Sequence, residues 1–295
     1  MNIGYVGLGS MGGALATRLQ LSHPLHVYDL NRSAVERMVE KGATACESLE
    51  TLASRCDVIF LCLPKSEHVR EVIFGSNGLS PRLKKDTLIV DQTTGDPIAT
   101  RAMAVDLLKQ GVHLIDAPVS GGARGAEAGT VAIMVGAGKE RYASVEGILR
   151  AISPNVFHAG DVGSGHVIKL VNNMVSGAQR LLTFEGMALA AKNGIEPKTA
   201  CEILLAGGAK NAFMERSLAP QILKGDLAVG FTLGLMLKDI RLACQLGSDS
   251  GVPMFFGNLT KDLYLMCISE KGPEAEVHTS ALVVDRMAGT HIVPV

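Results

Sequence analysis

Charge is scarce in this chain of 295 residues. Only 19% of them are Asp, Glu, Lys or Arg, and 28 basic against 29 acidic side chains leave a formal net charge of −1 at pH 7. Without an excess of cations there is no bulk electrostatic case for nucleic acid or an anionic membrane surface as a partner. Long apolar runs are missing too: none reaches the ~18 residues a membrane span needs. The six cysteines, at 46, 56, 62, 201, 244 and 267, form no C-x-x-C pair. Several lie in apolar stretches, where they fit reduced thiols packed as small hydrophobes in a cytoplasmic protein. Cys and His show no metal-ligand spacing and H-E-x-x-H is absent, so no metal is expected. The opening MNIGYVGLG has no basic region before its apolar residues, and no secretory leader is expected.

What is present is a globular composition, 47% apolar, long enough for one large domain or two ordinary ones. In the first half, short β-rich apolar runs at 2–6, 26–29, 57–63, 87–91, 113–119, 130–136 and 155–160 read as strands. Helical patterns at 12–21, 33–41, 66–73, 97–110 and 139–151 lie between them. Such alternation predicts an α/β fold with a mainly parallel, doubly wound sheet. After about Gly163 no convincing strand follows. The rest reads as helices over 165–193, 197–206, 212–223, 234–250, 257–269 and 275–288, separated by Gly/Pro turns. The expected organisation is an α/β domain over 1–162 and an all-helical domain over 163–295 that opens on a long helix.

Gly7-Leu8-Gly9-Ser10-Met11-Gly12 is G-x-G-x-x-G, placed after a predicted strand and opening a predicted helix. Gly7 would permit the tight turn, Gly9 the approach of a pyrophosphate, and Gly12 close helix–strand packing. A Gly-rich turn alone can show the same pattern. Here Asp29 ends the second strand 17 residues after Gly12, near the spacing of a ribose-binding acid. A carboxylate there favours NAD, because it would repel a 2′-phosphate; Arg32 leaves NADP open. Asp29 could instead cap the next helix, a role Asn31 can also fill.

Other candidates lie at strand ends, where open α/β sheets bind ligands. Ser120 with the Gly121 and Gly122 amides could form an anion nest, or an ordinary turn. Thr94 could face a nicotinamide or cap a helix. Pro64, after Leu63, could simply end its strand. GSGHVIKLVNN (163–173) sets Lys169 and Asn173 at i and i+4, on one face of an apolar helix. Most lysines in such a setting snorkel to water. Two aligned polar groups suggest instead a cleft face, where a lysine can donate a proton to a carbonyl oxygen as hydride arrives at carbon. Lys238-Asp239 puts another cation on an apolar helix. Ser120 lacks a nucleophile-elbow signature, which argues against hydrolase chemistry.

GLGSMGGALATRL (7–19), DAPVSGGARGAEAGT (116–130), GSGHVIKLVNN (163–173) and LKD (237–239) together resemble, nearly end to end, the signatures of the β-hydroxyacid dehydrogenases. That family includes 3-hydroxyisobutyrate dehydrogenase and tartronate semialdehyde (2-hydroxy-3-oxopropionate) reductase. The resemblance implies a Rossmann domain followed by an all-helical domain, in a homodimer or homotetramer. It implies reversible hydride transfer between NAD(P) and a short 3-hydroxy acid or its semialdehyde. It makes Lys169 the general acid/base, has Asn173 hold the substrate, and assigns the substrate carboxylate to Ser120, Gly121 and Gly122. It lines the cofactor with Leu63, Pro64, Thr94 and Lys238, the last also reaching the substrate. Three departures bear on the substrate: Lys65 stands where Asn often follows Leu-Pro, Gln92 replaces a common Met, and His278 or Thr279 stands where an acid commonly precedes Ser-Ala. Two alternatives are an imine reductase of the same architecture and a non-catalytic dinucleotide-binding protein. Both usually lack the lysine that this chain keeps.

Overall fold

The computed structural model describes residues 1–294. The chain forms two compact units, Met1–Lys169 and Leu170 onward. The first is an α/β unit of nine strands and seven helices ahead of the long α8: β1 (Ile3–Val6), α1 (Ser10–Gln20), β2 (Leu25–Tyr28), α2 (Arg32–Val39), β3 (Thr44–Ala45), α3 (Leu49–Arg55), β4 (Val58–Leu61), α4 (Ser66–Phe74), β5 (Leu88–Asp91), α5 (Pro97–Leu108), β6 (His113–Asp116), β7 (Val119–Ser120), α6 (Gly122–Ala128), β8 (Ala132–Gly136), α7 (Lys139–Ile152) and β9 (Val156–Gly160). Spatially the sheet runs β3-β2-β1-β4-β5-β6-β8-β7, with β9 also on β8.

Strand β4 shows why these runs make a doubly covered sheet. Val58 and Phe60 enter the apolar cluster on one face, and Ile59 and Leu61 the cluster on the other. Side chains alternate across a strand, so a continuous apolar run is stable only when helices cover both faces. The pairings are parallel from β3 to β6, and β8 is antiparallel to both β6 and β7. The run 113–119 is therefore not one strand. It breaks at Ala117-Pro118, where proline has no N–H to continue a ladder.

The second unit continues α8 (Ser164–Lys192) and adds α9 (Pro197–Ala206), α10 (Leu233–Asp249), α11 (Phe255–Lys271) and α12 (Ser280–Ala288). At 29 residues, α8 is about 43 Å long at 1.5 Å per residue. Two predicted helices are revised. The stretch 212–223 holds a π-helical turn at Met214–Leu218 and a 3-10 turn at Ile222–Lys224. The stretch 275–288 opens with a 3-10 turn at Val277–Thr279 before α12. Gly177 of α8 sits against α10; a methyl there would stand 3.1 Å from Cδ1 of Ile240 and 3.2 Å from Sδ of Met236. Gly177 thus leaves room on α8 for the side chains of Ile240 and Met236 from α10.

Candidate active site

The loop from β1 to α1 is closed on its protein side. Gly7 has φ +93°, and a methyl group on it would run into the carbonyl oxygen of Cys62. A methyl on Gly12 would run into the carbonyl oxygen of Gly7. Gly9 differs: nothing lies within 4 Å of where its methyl would stand. Gly9 also opens α1 with no side-chain cap. Leu8 is buried, Ser10 is exposed and Met11 is half-buried. A loop tightly packed below and open above, at an uncapped helix N-terminus, fits a pyrophosphate.

Asp29 ties that loop to the end of β2. Its Oδ2 accepts the Leu8 N–H at 2.6 Å and its Oδ1 the Asn31 N–H at 2.7 Å. Asn31, not Asp29, caps α2, accepting the Ser33 N–H at 3.1 Å. Each oxygen of Asp29 keeps a second acceptor direction, which suits ribose hydroxyls. A hollow of about 370 Å³ opens here, lined among others by Gly9, Ser10, Asp29, Arg18, Arg37 and Lys41.

At the ends of β4 and β5, the Leu63 N–H donates to Thr93 Oγ1 at 3.0 Å. Lys65, after Pro64, is the cap residue of α4. Asp96 rather than Thr94 caps α5, accepting the Ile98 N–H at 2.8 Å, so Thr94 does not serve as the cap. Gln92 is a core residue whose Oε1 accepts the Tyr5 hydroxyl at 2.7 Å. Burial pushes the Asp91 carboxyl above the usual carboxylate range; His166 and hydrogen bonds from Thr93 oppose the rise.

Ser120 ends β7 opposite Ala132. Gly121 and Gly122 follow with φ +140° and +70°, conformations that favour glycine. A methyl on Gly121 would crowd Val131 at 3.1 Å, whereas Gly122 has nothing within 4 Å.

On α8, Lys169 is 8% exposed and Asn173 6%, while Ile168 and Val171 are 43% and 42% exposed. The polar pair is buried and the apolar neighbours face out, so Lys169 does not snorkel. Asn173 Nδ2 donates to Asp239 Oδ2 at 2.6 Å, and Asn173 Oδ1 accepts from Asn172 at 3.0 Å. The Lys238 ammonium lies 3.0 Å from Oδ1 of Asp239, an ion pair without hydrogen-bond alignment. Asp239 itself had no signal in the sequence beyond adjacency to Lys238. His278, one of the departures, is fully buried in the second unit, with its ring centroid 6.2 Å from that of Phe213.

Of the candidate residues, the phosphate loop, Asp29, Leu63, Pro64, Thr94, Ser120, Gly121, Gly122 and Lys169 belong to the first unit; Asn173 and Lys238 belong to the second.

Two family models match the chain. Residues 2–160 match the NAD binding domain of 6-phosphogluconate dehydrogenase, and residues 163–284 match the NAD-binding of NADP-dependent 3-hydroxyisobutyrate dehydrogenase. The chain is 36% identical over 255 residues to 2-(hydroxymethyl)glutarate dehydrogenase of Eubacterium barkeri, covering 86% of this chain and 85% of that one. It is 32% identical over 294 residues to the NAD-dependent L-serine dehydrogenase of Pseudomonas aeruginosa, covering 97% and 99%. It shares its fold with Mycobacterium tuberculosis 3-hydroxyisobutyrate dehydrogenase, solved with L-serine, at TM-score 0.84 and 24% identity over 96% of this chain and 98% of that one. The chain thus belongs to the 3-hydroxyisobutyrate dehydrogenase, or β-hydroxyacid dehydrogenase, family and is an NAD(P)-dependent 3-hydroxyacid dehydrogenase acting on CH–OH.

Proposed function

We propose that this enzyme interconverts a short 3-hydroxy acid and its semialdehyde, with NAD as the preferred cofactor and Lys169 as the general acid/base. The observation that carries the reading is the burial of Lys169 on the same face of α8 as Asn173, whose amide is held by Asp239. When bound, the nicotinamide supplies the hydride acceptor or donor. Neutral Lys169 takes the hydroxyl proton during oxidation, and as ammonium it returns that proton to the forming alkoxide during reduction. Asn173 holds the reacting oxygen. Ser120 with the Gly121 and Gly122 amides takes the carboxylate, and Leu63, Pro64, Thr94 and Lys238 border the cofactor. The 1–162 part then binds dinucleotide, and the 163–295 part serves substrate and oligomer.

The substrates named by its relatives share one pattern. 3-Hydroxyisobutyrate, L-serine and 2-(hydroxymethyl)glutarate each carry a hydroxymethyl group on the carbon that bears a carboxylate. They differ in the third substituent: methyl, ammonium or a carboxyethyl arm. We assign this chain the shared hydroxymethyl carboxylate, as in 3-hydroxyisobutyrate dehydrogenase or 2-hydroxy-3-oxopropionate reductase. A homodimer or homotetramer is supported by Val175, Leu182 and Leu189, which recur at sevens along α8 and are exposed.

The test is reduced-nicotinamide absorbance with purified protein over these acids and their semialdehydes, using NAD(H) and NADP(H), with Lys169→Ala beside wild type. Turnover by the wild type on a hydroxymethyl acid, faster in oxidation at alkaline pH and lost in Lys169→Ala while cofactor still binds, supports the proposal. Cofactor binding without turnover on any substrate favours the non-catalytic binder, and turnover only on imines favours the imine reductase.

A further inference from the structure

His166 lies three residues before Lys169 on α8, and its imidazole is fully buried. Nε2 lies 2.8 Å from the carbonyl oxygen of Thr93, which can only accept, so Nε2 carries hydrogen. Nδ1 lies 3.0 Å from the hydroxyl of Thr100 on α5. Asp91 at the end of β5 is also buried; its Oδ2 stands 3.9 Å from Nε2. The backbone around the ring is held as firmly. Asp116, at the end of β6, accepts the Gly163 N–H at 2.6 Å through Oδ1 and the His166 N–H at 2.7 Å through Oδ2. Those amides belong to the start of α8, so one carboxylate caps the helix from across the sheet. Gly165 completes the seat: a methyl group on it would run into the carbonyl oxygen of Met134.

An imidazole is an unusual group to spend here if a cap were all that α8 required, since Asp116 already provides one. The ring adds what the cap lacks. A cap fixes where the helix begins, whereas the ring, gripped at both nitrogens, fixes rotation about the helix axis. Lys169 is at i+3 from His166, so its direction from the axis follows from that rotation.

We propose that His166 is a positioning residue: held by Thr93 and Thr100, it sets the rotation of the first turns of α8 and so aims the Lys169 ammonium. The proposal rests on Lys169 being the acid/base. A misplacement of about 1 Å at a reacting group can lower a rate about 100-fold, so a loosened register reads out in chemistry before it reads out in binding.

The experiment compares wild type, Lys169→Ala, His166→Leu, His166→Gln and Thr100→Val on whichever hydroxymethyl acid is turned over. Measured for each are kcat, KM, cofactor Kd by nicotinamide fluorescence, and the isotope effect with substrate deuterated at the hydroxymethyl carbon. In His166→Leu, kcat is expected to fall about 10–100-fold with cofactor Kd and KM little changed and a larger isotope effect. His166→Gln, whose amide can donate to the Thr93 carbonyl, is expected to recover most of the loss. Thr100→Val is expected to lose a few-fold in kcat, on the order of one hydrogen bond, and carries the test if His166→Leu does not fold. If Lys169→Ala is inactive while His166→Leu or Thr100→Val keeps wild-type kcat and isotope effect, the positioning role is overturned and the acid/base assignment stands. If Lys169→Ala keeps wild-type activity, the acid/base assignment falls and the positioning role falls with it.

Discussion

The side-chain amide of Asn173 donates to Asp239 at 2.6 Å, across 66 residues of sequence. An amide can present either its oxygen or its NH2 group to a ligand. The carboxylate of Asp239 accepts one N–H, and Asn172 donates to the amide oxygen at 3.0 Å, so the orientation of Asn173 is decided by the protein. Asp239 is itself 1% exposed, with the Lys238 ammonium 3.0 Å from its Oδ1.

Asp239→Ala is therefore expected to lower kcat/KM about 10–100-fold by freeing Asn173 to turn. It also removes the buried acceptor of the Asn173 N–H, a cost of about 1–3 kcal/mol. Asp239→Asn keeps an acceptor but not the charge, and should fall between the two. Steady-state kinetics and urea denaturation of both variants check the order. Equal kinetics for Asp239→Ala and wild type would mean that Asn173 does not need its partner.

Two of the loop glycines, Gly12 and Gly9, should respond differently to alanine. Gly12→Ala puts a methyl into the Gly7 carbonyl, and overpacking of that kind costs about 1–3 kcal/mol. Gly9→Ala meets nothing within 4 Å. It should keep its melting temperature in the cofactor-free protein and still lose about 10-fold or more in NAD affinity, because the methyl occupies the phosphate's approach. Calorimetric melting and NAD titration of the two variants separate packing from cradle. A Gly9→Ala protein with wild-type affinity would place the pyrophosphate elsewhere.

Much of this was legible in the sequence, and the parts that were not share a cause. Strands such as β4 and β5 announce themselves as apolar runs between turn residues. β3 is two exposed residues, Thr44 and Ala45, with no apolar pattern to read. α6 is GARGAEA, too poor in apolar residues to show a period. At Met214–Leu218 the local pattern is helical, but the hydrogen bonding widens to a π turn. In the site, the glycines, Asp29 and Lys169 follow from spacing along the chain. The partners Asp239, Thr93 and Asp116 do not, because contacts across 66, 30 and 47 residues leave no local period.

Asp29 gives a prediction about cofactor choice. Both of its oxygens accept backbone N–H groups, from Leu8 and Asn31. Asn at this position has only one acceptor oxygen, so its NH2 must face one of those donors and the turn should loosen. Asp29→Asn is expected to raise KM for NAD about 10-fold, a loss of about 1.4 kcal/mol, and to affect NADP less because the repelling charge is gone. The ratio of kcat/KM for the two cofactors is the measurement; an unchanged ratio would remove Asp29 from the choice.

The last prediction concerns pH and His278. Its ring is fully buried in the second unit, and burial, with the Arg180 cation second, pushes its pKa down to about 4; Asp226 opposes weakly. Arg180 stacks over the Phe213 ring at 5.0 Å to the centroid, which holds the cation in that neighbourhood. The folded value lies below the unfolded one of about 6.5, so the unfolded chain binds the proton more readily. The native state therefore has its full stability above pH ~6.5 and loses it as the pH falls toward 4. A separation of that size corresponds to about 3 kcal/mol. His278→Met removes the titration and keeps an apolar filler. Urea midpoints at about pH 7 and pH 4.5 should drop much less in His278→Met than in wild type. An equal drop in both would show that acid sensitivity arises elsewhere, and not at the buried carboxyl of Asp91. That carboxyl carries the opposite sign: its folded pKa is raised, so the proton it takes up favours the native state as the pH falls.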